Sequence, residues 1–142
     1  MSSIEIISFE TAKLAKEKGF SLNVWHYYGN YYSQDDNNQT LQASGSMVDM
    51  NTASWAYSAP TQHRLQKWLR EEHDIDISVE KSFNEISMGY YRYYGYHARV
   101  TTSHKVNKVY PEDKWEEGWY GEICDNYEDA LESGLQKALD LV

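Results

Sequence analysis

A chain of 142 residues, 41% hydrophobic and 25% charged with two prolines and one cysteine, has the make-up of a globular protein. It is not collagen-like, not low-complexity and not a disulfide scaffold. Thirteen Lys and Arg face 22 Asp and Glu, a formal net charge of -9, which excludes general nucleic-acid binding as an expectation because phosphate recognition needs clustered positive charge.

The length predicts a single domain over residues 1–142. The opening Met1-Ser-Ser-Ile-Glu-Ile-Ile-Ser8 carries neither a basic region nor a long apolar run, so no signal peptide is expected. No stretch approaches the roughly 20 apolar residues that cross a bilayer. A lone Cys124 makes no internal disulfide. Together these features predict a cytoplasmic protein with no membrane partner.

The first element in chain order is a helix. Ser8 can cap it, Ala12, Leu14 and Ala15 share one side, and Gly19 stands where a helix stops, with Phe20 folding back on its end. From Leu22 to Tyr32 aromatic and β-branched residues replace the helix formers, which predicts a strand with Gly29-Asn30 as a turn or bulge. The polar run Gln34 to Gln39 reads as a loop, and Met47 to Tyr57 has weak strand character.

Pro60 opens a second helix, since a first turn tolerates the missing N–H. Leu65, Trp68 and Leu69 form its apolar stripe. Ile75, Ile77 and Val79 then alternate with Asp76, Ser78 and Glu80, the pattern of a strand covered on one side. A partner strand is expected from Tyr90 to Thr102, with Asn84 to Gly89 between the two. Ser103 to Lys114 reads as a long loop, and Trp115 to Ile123 as holding a further short strand.

The last helix has the clearest signature. Asn126 and Asp129 are placed as cap and capping-box acid, and Tyr127, Ala130, Leu131, Gly134, Leu135, Ala138, Leu139 and Val142 fill the helical repeat. The small residues Ala130, Gly134 and Ala138 lie four apart and predict close approach to a sheet. The expected fold is α+β, with three helices packed on a mostly antiparallel sheet.

Three segments carry a resemblance: Ile7 to Phe20, Ala59 to Ile75 (Ala-Pro-Thr-Gln-His-Arg-Leu-Gln-Lys-Trp-Leu-Arg-Glu-Glu-His-Asp-Ile), and Tyr127 to Leu139. They resemble a family of small proteins of gut-bacterial phages and their prophages, for which no activity is established. The resemblance implies a setting, an accessory protein made in an infected bacterium, and no mechanism.

The residues give little chemistry. His26, His63, His73, His97 and His104 show no ligand spacing, so no metal site and no cofactor is expected. The start of the last helix would lower the Cys124 thiol pKa, but Glu122, Asp125, Glu128 and Asp129 would raise it again. The pairs Asp35-Asp36, Glu71-Glu72 and Glu116-Glu117 are neighbours whose side chains diverge, as on solvated faces. Gly118-Trp-Tyr-Gly121 lacks the lysine and the spacing of a phosphate loop. The element order after Pro60 is that of a double-stranded-RNA-binding domain, but Tyr127, Glu128 and Asp129 stand where such domains place lysines. No catalytic residue is assigned.

Thirteen tyrosines are the unusual feature, five of them between Tyr90 and Tyr96. Counting by twos from Ala98 and Val100, the plainly apolar residues, puts Tyr91, Tyr93, His97 and Arg99 on the opposite, outward face. Tyrosine beside arginine is the composition of contact surfaces. The expected function is therefore non-enzymatic protein–protein binding through Tyr91, Tyr93, His97 and Arg99, with a second copy or a host factor as partner. The alternative is a small-ligand or nucleotide binder that uses an aromatic sheet face or pocket.

Overall fold

The computed structural model describes residues 5–32, 39–102 and 118–142, without the side chains of 84–87 and 90–94. Among these residues the fold is α+β, with three helices and two three-stranded antiparallel sheets. The expectation of one sheet is corrected in that respect. The chain divides into two compact units, Met1–Leu65 and Gln66–Val142, each with its own sheet.

The first unit begins with helix α1, Phe9–Glu17. Ser8 caps it, its hydroxyl accepting from the Thr11 amide at 3.3 Å. The helix closes at Lys18, and Gly19 takes a φ of +91° that turns Phe20 back into the core, where it is buried. Ala12 and Ala15 are buried as expected, whereas the fully buried neighbour is Thr11 and Leu14 stays half-exposed.

Strand β1, Val24–Gly29, is central in the order β2-β1-β3, between β2 (Leu41–Val48) and β3 (Ala56–Ser58). The strand signal assigned to Met47 to Tyr57 is thus displaced. Met50–Thr52 is a single 3-10 turn, and most of β2 precedes the expected segment. Gln42, Ala43, Ser44, Gly45 and Ser46 have no apolar alternation, and β2 is exposed along nearly its whole length. Asn51 ties the turn down: its Nδ2 donates to Phe20 O at 2.8 Å and its Oδ1 accepts from Ser58 N at 2.8 Å. The expected loop from Gln34 lies outside the described residues as far as Asn38.

Helix α2, Gln62–His73, contains the boundary between the units. Leu65, Trp68 and Leu69 are buried, as their spacing predicts. Asp74, with φ of 54°, is the one-residue link to the second unit's sheet. Aspartate is among the few residues that enter this left-handed region readily.

The second sheet has the order β4-β5-β6, with β4 Ile75–Ser87, β5 Tyr90–Thr102 and β6 Trp119–Tyr120. The bounds of β5 coincide with the sequence expectation. The turn expected within Asn84 to Gly89 is confined to Met88-Gly89, with β4 running to Ser87. The turn residue Gly89 has φ +78°, the conformation that glycine supplies. Helix α3, Tyr127–Asp140, covers one side of this sheet. Asn126 caps it, accepting from Asp129 N at 2.8 Å while its Nδ2 donates to Asp129 Oδ2 at 3.0 Å. Ile77, Ala98, Val100, Leu131, Leu135 and Leu139 are buried in this layer. The loop expected from Ser103 lies outside the described residues, as do the first three residues of the Trp115 to Ile123 segment. Among the described residues no helix is long and apolar enough to cross a membrane.

Candidate functional site

The face of the β4-β5-β6 sheet opposite α3 carries a group of polar and aromatic side chains that includes His97 and Arg99. Alternation along β4 and β5 puts Ile77, Ala98 and Val100 under the helix, and puts Glu80, Ser82, His97 and Arg99 on the other side. The antiparallel register sets Glu80 opposite His97, and Arg99 opposite Tyr120 of β6.

His97 is held from both ring nitrogens. Its Nδ1 is hydrogen-bonded to the Ser82 hydroxyl, and its Nε2 lies 3.3 Å from Glu80 Oε2. Its ring is tilted 49° against that of Tyr120, with centroids 5.8 Å apart. The Arg99 guanidinium sits over the same Tyr120 ring, 5.6 Å from its centroid. Tyr120 itself is 51% exposed. One half-exposed tyrosine is thereby packed against a cation and an imidazole, both carried by β5.

The series Ser82, His97, Glu80 has the order of a nucleophile, a base and an orienting acid. It is laid out on a sheet face where the Glu80 side chain is 44% exposed. A nucleophile also needs donors placed around a reacting atom in a water-excluding site. What the arrangement supplies is an oriented hydrogen-bonding imidazole beside an aromatic–cation pair, a surface suited to contact.

His97 and Arg99 are brought together as the count by twos implies. Tyr91 and Tyr93 lie in β5 opposite Glu85 and Phe83, and their side chains lie outside the described residues. The count does not carry to them, because the pairing slips by one residue between Ser82 and Phe83, where Gly95 and Tyr93 are the successive partners. Such a bulge resets which face a side chain takes. Glu80, Ser82 and Tyr120 were not singled out from the sequence. The polar alternation Asp76, Ser78, Glu80 already contained Glu80 and extended to Ser82, whereas nothing local pairs Tyr120 with Arg99.

Cys124 stands on a different path. It forms an isolated bridge with Tyr96, and its thiol lies 3.6 Å from Glu122 O. Burial pushes its pKa above 9.0, and the charges of Asp129, Glu122 and Asp125 push it further in the same direction. Each of these influences disfavours the thiolate, the nucleophilic form. Among the described residues no three His, Cys, Asp or Glu side chains are grouped so as to hold a metal ion. Comparison with protein-family models, curated proteins and solved structures finds no match to this chain.

Proposed function

We propose that the chain is a non-enzymatic binding protein that engages a partner protein through the β4-β5-β6 face centred on His97, Arg99 and Tyr120. The observation that carries this reading is the Arg99 guanidinium over the half-exposed Tyr120 ring, with His97 on the same ring. Tyrosine and arginine are the residues enriched at the centres of protein interfaces, where a rigid ring gives contact area at low entropic cost and arginine pairs with carboxylates. The matching partner surface offers an acidic group to Arg99 and an apolar group to Tyr120. A net charge of -9 opposes association of two copies at long range, which favours a different protein over a second copy. The resemblance to proteins of gut-bacterial phages supplies the setting, an accessory protein in the cytoplasm of an infected bacterium with a host factor as partner. Neither a membrane nor duplex nucleic acid is a partner in this reading.

The test is quantitative capture from host-cell lysate by the wild-type chain and by Arg99→Gln and Tyr120→Ser, with light scattering on each. A protein captured by the wild type and lost by both variants, at unchanged thermal midpoints, supports the reading. Equal capture by all three chains overturns it, and a doubled mass in solution would turn the partner into a second copy. The alternative, small-ligand binding, is favoured by one observation in the first unit.

A further inference from the structure

The first unit contains a cavity of about 430 Å³. Its walls are held by backbone pairing. Ile6 bridges Thr61, Ile7 N donates to Pro60 O at 3.2 Å, Gln62 N donates to Glu5 O at 2.9 Å, and Ala59 N donates to His26 O at 2.9 Å. Pro60, fixed in φ, stiffens the same wall. The β1–β2 register slips between Val24 and His26, the extra residues lying in β2 between Ala43 and Val48, and both the buried Val24 and the 54% exposed Trp25 line the cavity.

The chemistry of the lining is one-sided. Ile6, Val24 and Pro60 give apolar surface, Trp25 a flat ring at the rim, and His26 and Arg64 are the titratable groups. Among the described residues that line the cavity there is no Asp or Glu. Arg64 Nε is buried and has no hydrogen-bond partner among the described residues. A buried donor without a partner is costly and is normally satisfied by water or a ligand. The volume equals that of roughly a dozen waters, and it falls within the range of small-molecule sites.

We propose that this cavity binds a small planar aromatic anion, with its ring between Trp25 and the apolar wall and its negative group on Arg64. Aromatic carboxylates and nucleoside monophosphates share that chemistry. The site lies in the first unit and does not depend on the His97–Tyr120 face.

The experiment uses the full chain and titrates indole-3-acetate, AMP and neutral indole, read by calorimetry and by quenching of tryptophan fluorescence. For ligands of this size a Kd of about 1 mM or tighter is expected. Arg64→Gln weakens the anion by roughly tenfold to a hundredfold and leaves neutral indole unchanged, because only the charge-assisted bond is lost. Trp25→Leu weakens all three probes. Preference for indole-3-acetate over AMP marks a carboxylate ligand, and the reverse marks a phosphate. Absence of saturable binding by both anions overturns the proposal. So does equal anion affinity in the wild type and in Arg64→Gln at matched thermal midpoints. Should Arg64→Gln lower the midpoint, Arg64→Lys provides the second reading: it keeps the charge and removes Nε, and unchanged anion affinity would overturn the role given to Nε.

Discussion

Gly134 of α3 lies directly over Ala98 of β5: a Cβ built at Gly134 would come 2.8 Å from the Ala98 Cβ and 2.8 Å from Ile77 Cγ2. Glycine inside a helix costs about 1 kcal/mol relative to alanine, and here it permits an approach that no larger residue allows. The Ala98 methyl is fixed to backbone and cannot swing away. Gly134→Leu is therefore expected to overpack the layer and to destabilise the protein by about 1–3 kcal/mol. A denaturation midpoint equal to that of the wild type would contradict the close packing of α3 on the sheet.

Gly95 makes a second close approach, to Cys124. A Cβ there would meet Cys124 O at 2.6 Å and Ile123 Cγ2 at 2.6 Å, on a backbone with φ of +159°. The contact is flanked by two backbone hydrogen bonds, Tyr96 N to Cys124 O at 2.8 Å and Cys124 N to Tyr96 O at 2.7 Å. Gly95→Ala should push the Ile123-Cys124 segment off β5, at a cost of about 1–3 kcal/mol. Hydrogen exchange at the Tyr96 and Cys124 amides provides the check. Acceleration at those two sites is expected, and unchanged protection would mean that the bridge tolerates a side chain.

What was legible in the sequence was local. The cap and repeat of α3, the stripe of Leu65, Trp68 and Leu69, and the alternation of Ile75, Ile77 and Val79 each lie within one element, and each is found as read, save that in the α3 repeat Tyr127 is exposed and Val142 lies past the helix end. Strand pairing is not local. Nothing in Leu41 to Val48 says that it pairs with β1, because β2 is an exposed edge without an apolar face. The separation into two sheets follows from such pairings, as does the union of Tyr120 with Arg99. The bulge beside Gly95 was equally hidden. A glycine between two tyrosines reads as strand or as bulge, and only the register tells them apart. Half of the His97–Tyr120 face was thus visible by counting from Ala98 and Val100, and the other half came from neighbouring strands.

The Cys124 thiol is predicted to be sluggish. Burial first, and then the charges of Asp129, Glu122 and Asp125, raise its pKa above 9.0. Only the thiolate is nucleophilic, so alkylation by iodoacetamide at neutral pH should run slower than for a free cysteine, with an apparent pKa above 9.0. The linkage to stability has a definite sign. Above pH 9.0 the unfolded chain loses the thiol proton while the folded chain keeps it, so this group's contribution falls as pH rises from 9.0 through the native pKa. Below 9.0 it contributes no slope. Comparing wild type with Cys124→Ser from about pH 8 to about pH 10 isolates the term. A stability difference that does not move toward the serine variant on the alkaline side would refute it.

Lys16 reaches across the first unit from α1 and ties down the loop before β3. Its Nζ donates to Ala53 O and to Ala56 O, each at 2.7 Å, and lies 4.8 Å from the centre of the Tyr57 ring. Burial lowers the pKa of this amine from 10.5, against the pull of Asp49. Two carbonyls and a ring face offset the desolvation of the ammonium, and removing it leaves those carbonyls short of a donor. Lys16→Met keeps the aliphatic stem and removes the charge, so the measured loss reports the polar contacts more than the packing. The expected cost is about 1–3 kcal/mol, the range for hydrogen bonds to a charged donor with a cation–π contact. Lys67→Met is the matched control. Lys67 is 62% exposed and 3.9 Å from Glu71, itself 56% exposed and one helical turn away, and such a pair contributes about 0.5 kcal/mol or less. Chemical denaturation of the two variants gives the comparison: equal midpoints would show that the Lys16 ammonium does not anchor Ala53 and Ala56, and a drop confined to Lys16→Met would show that it does.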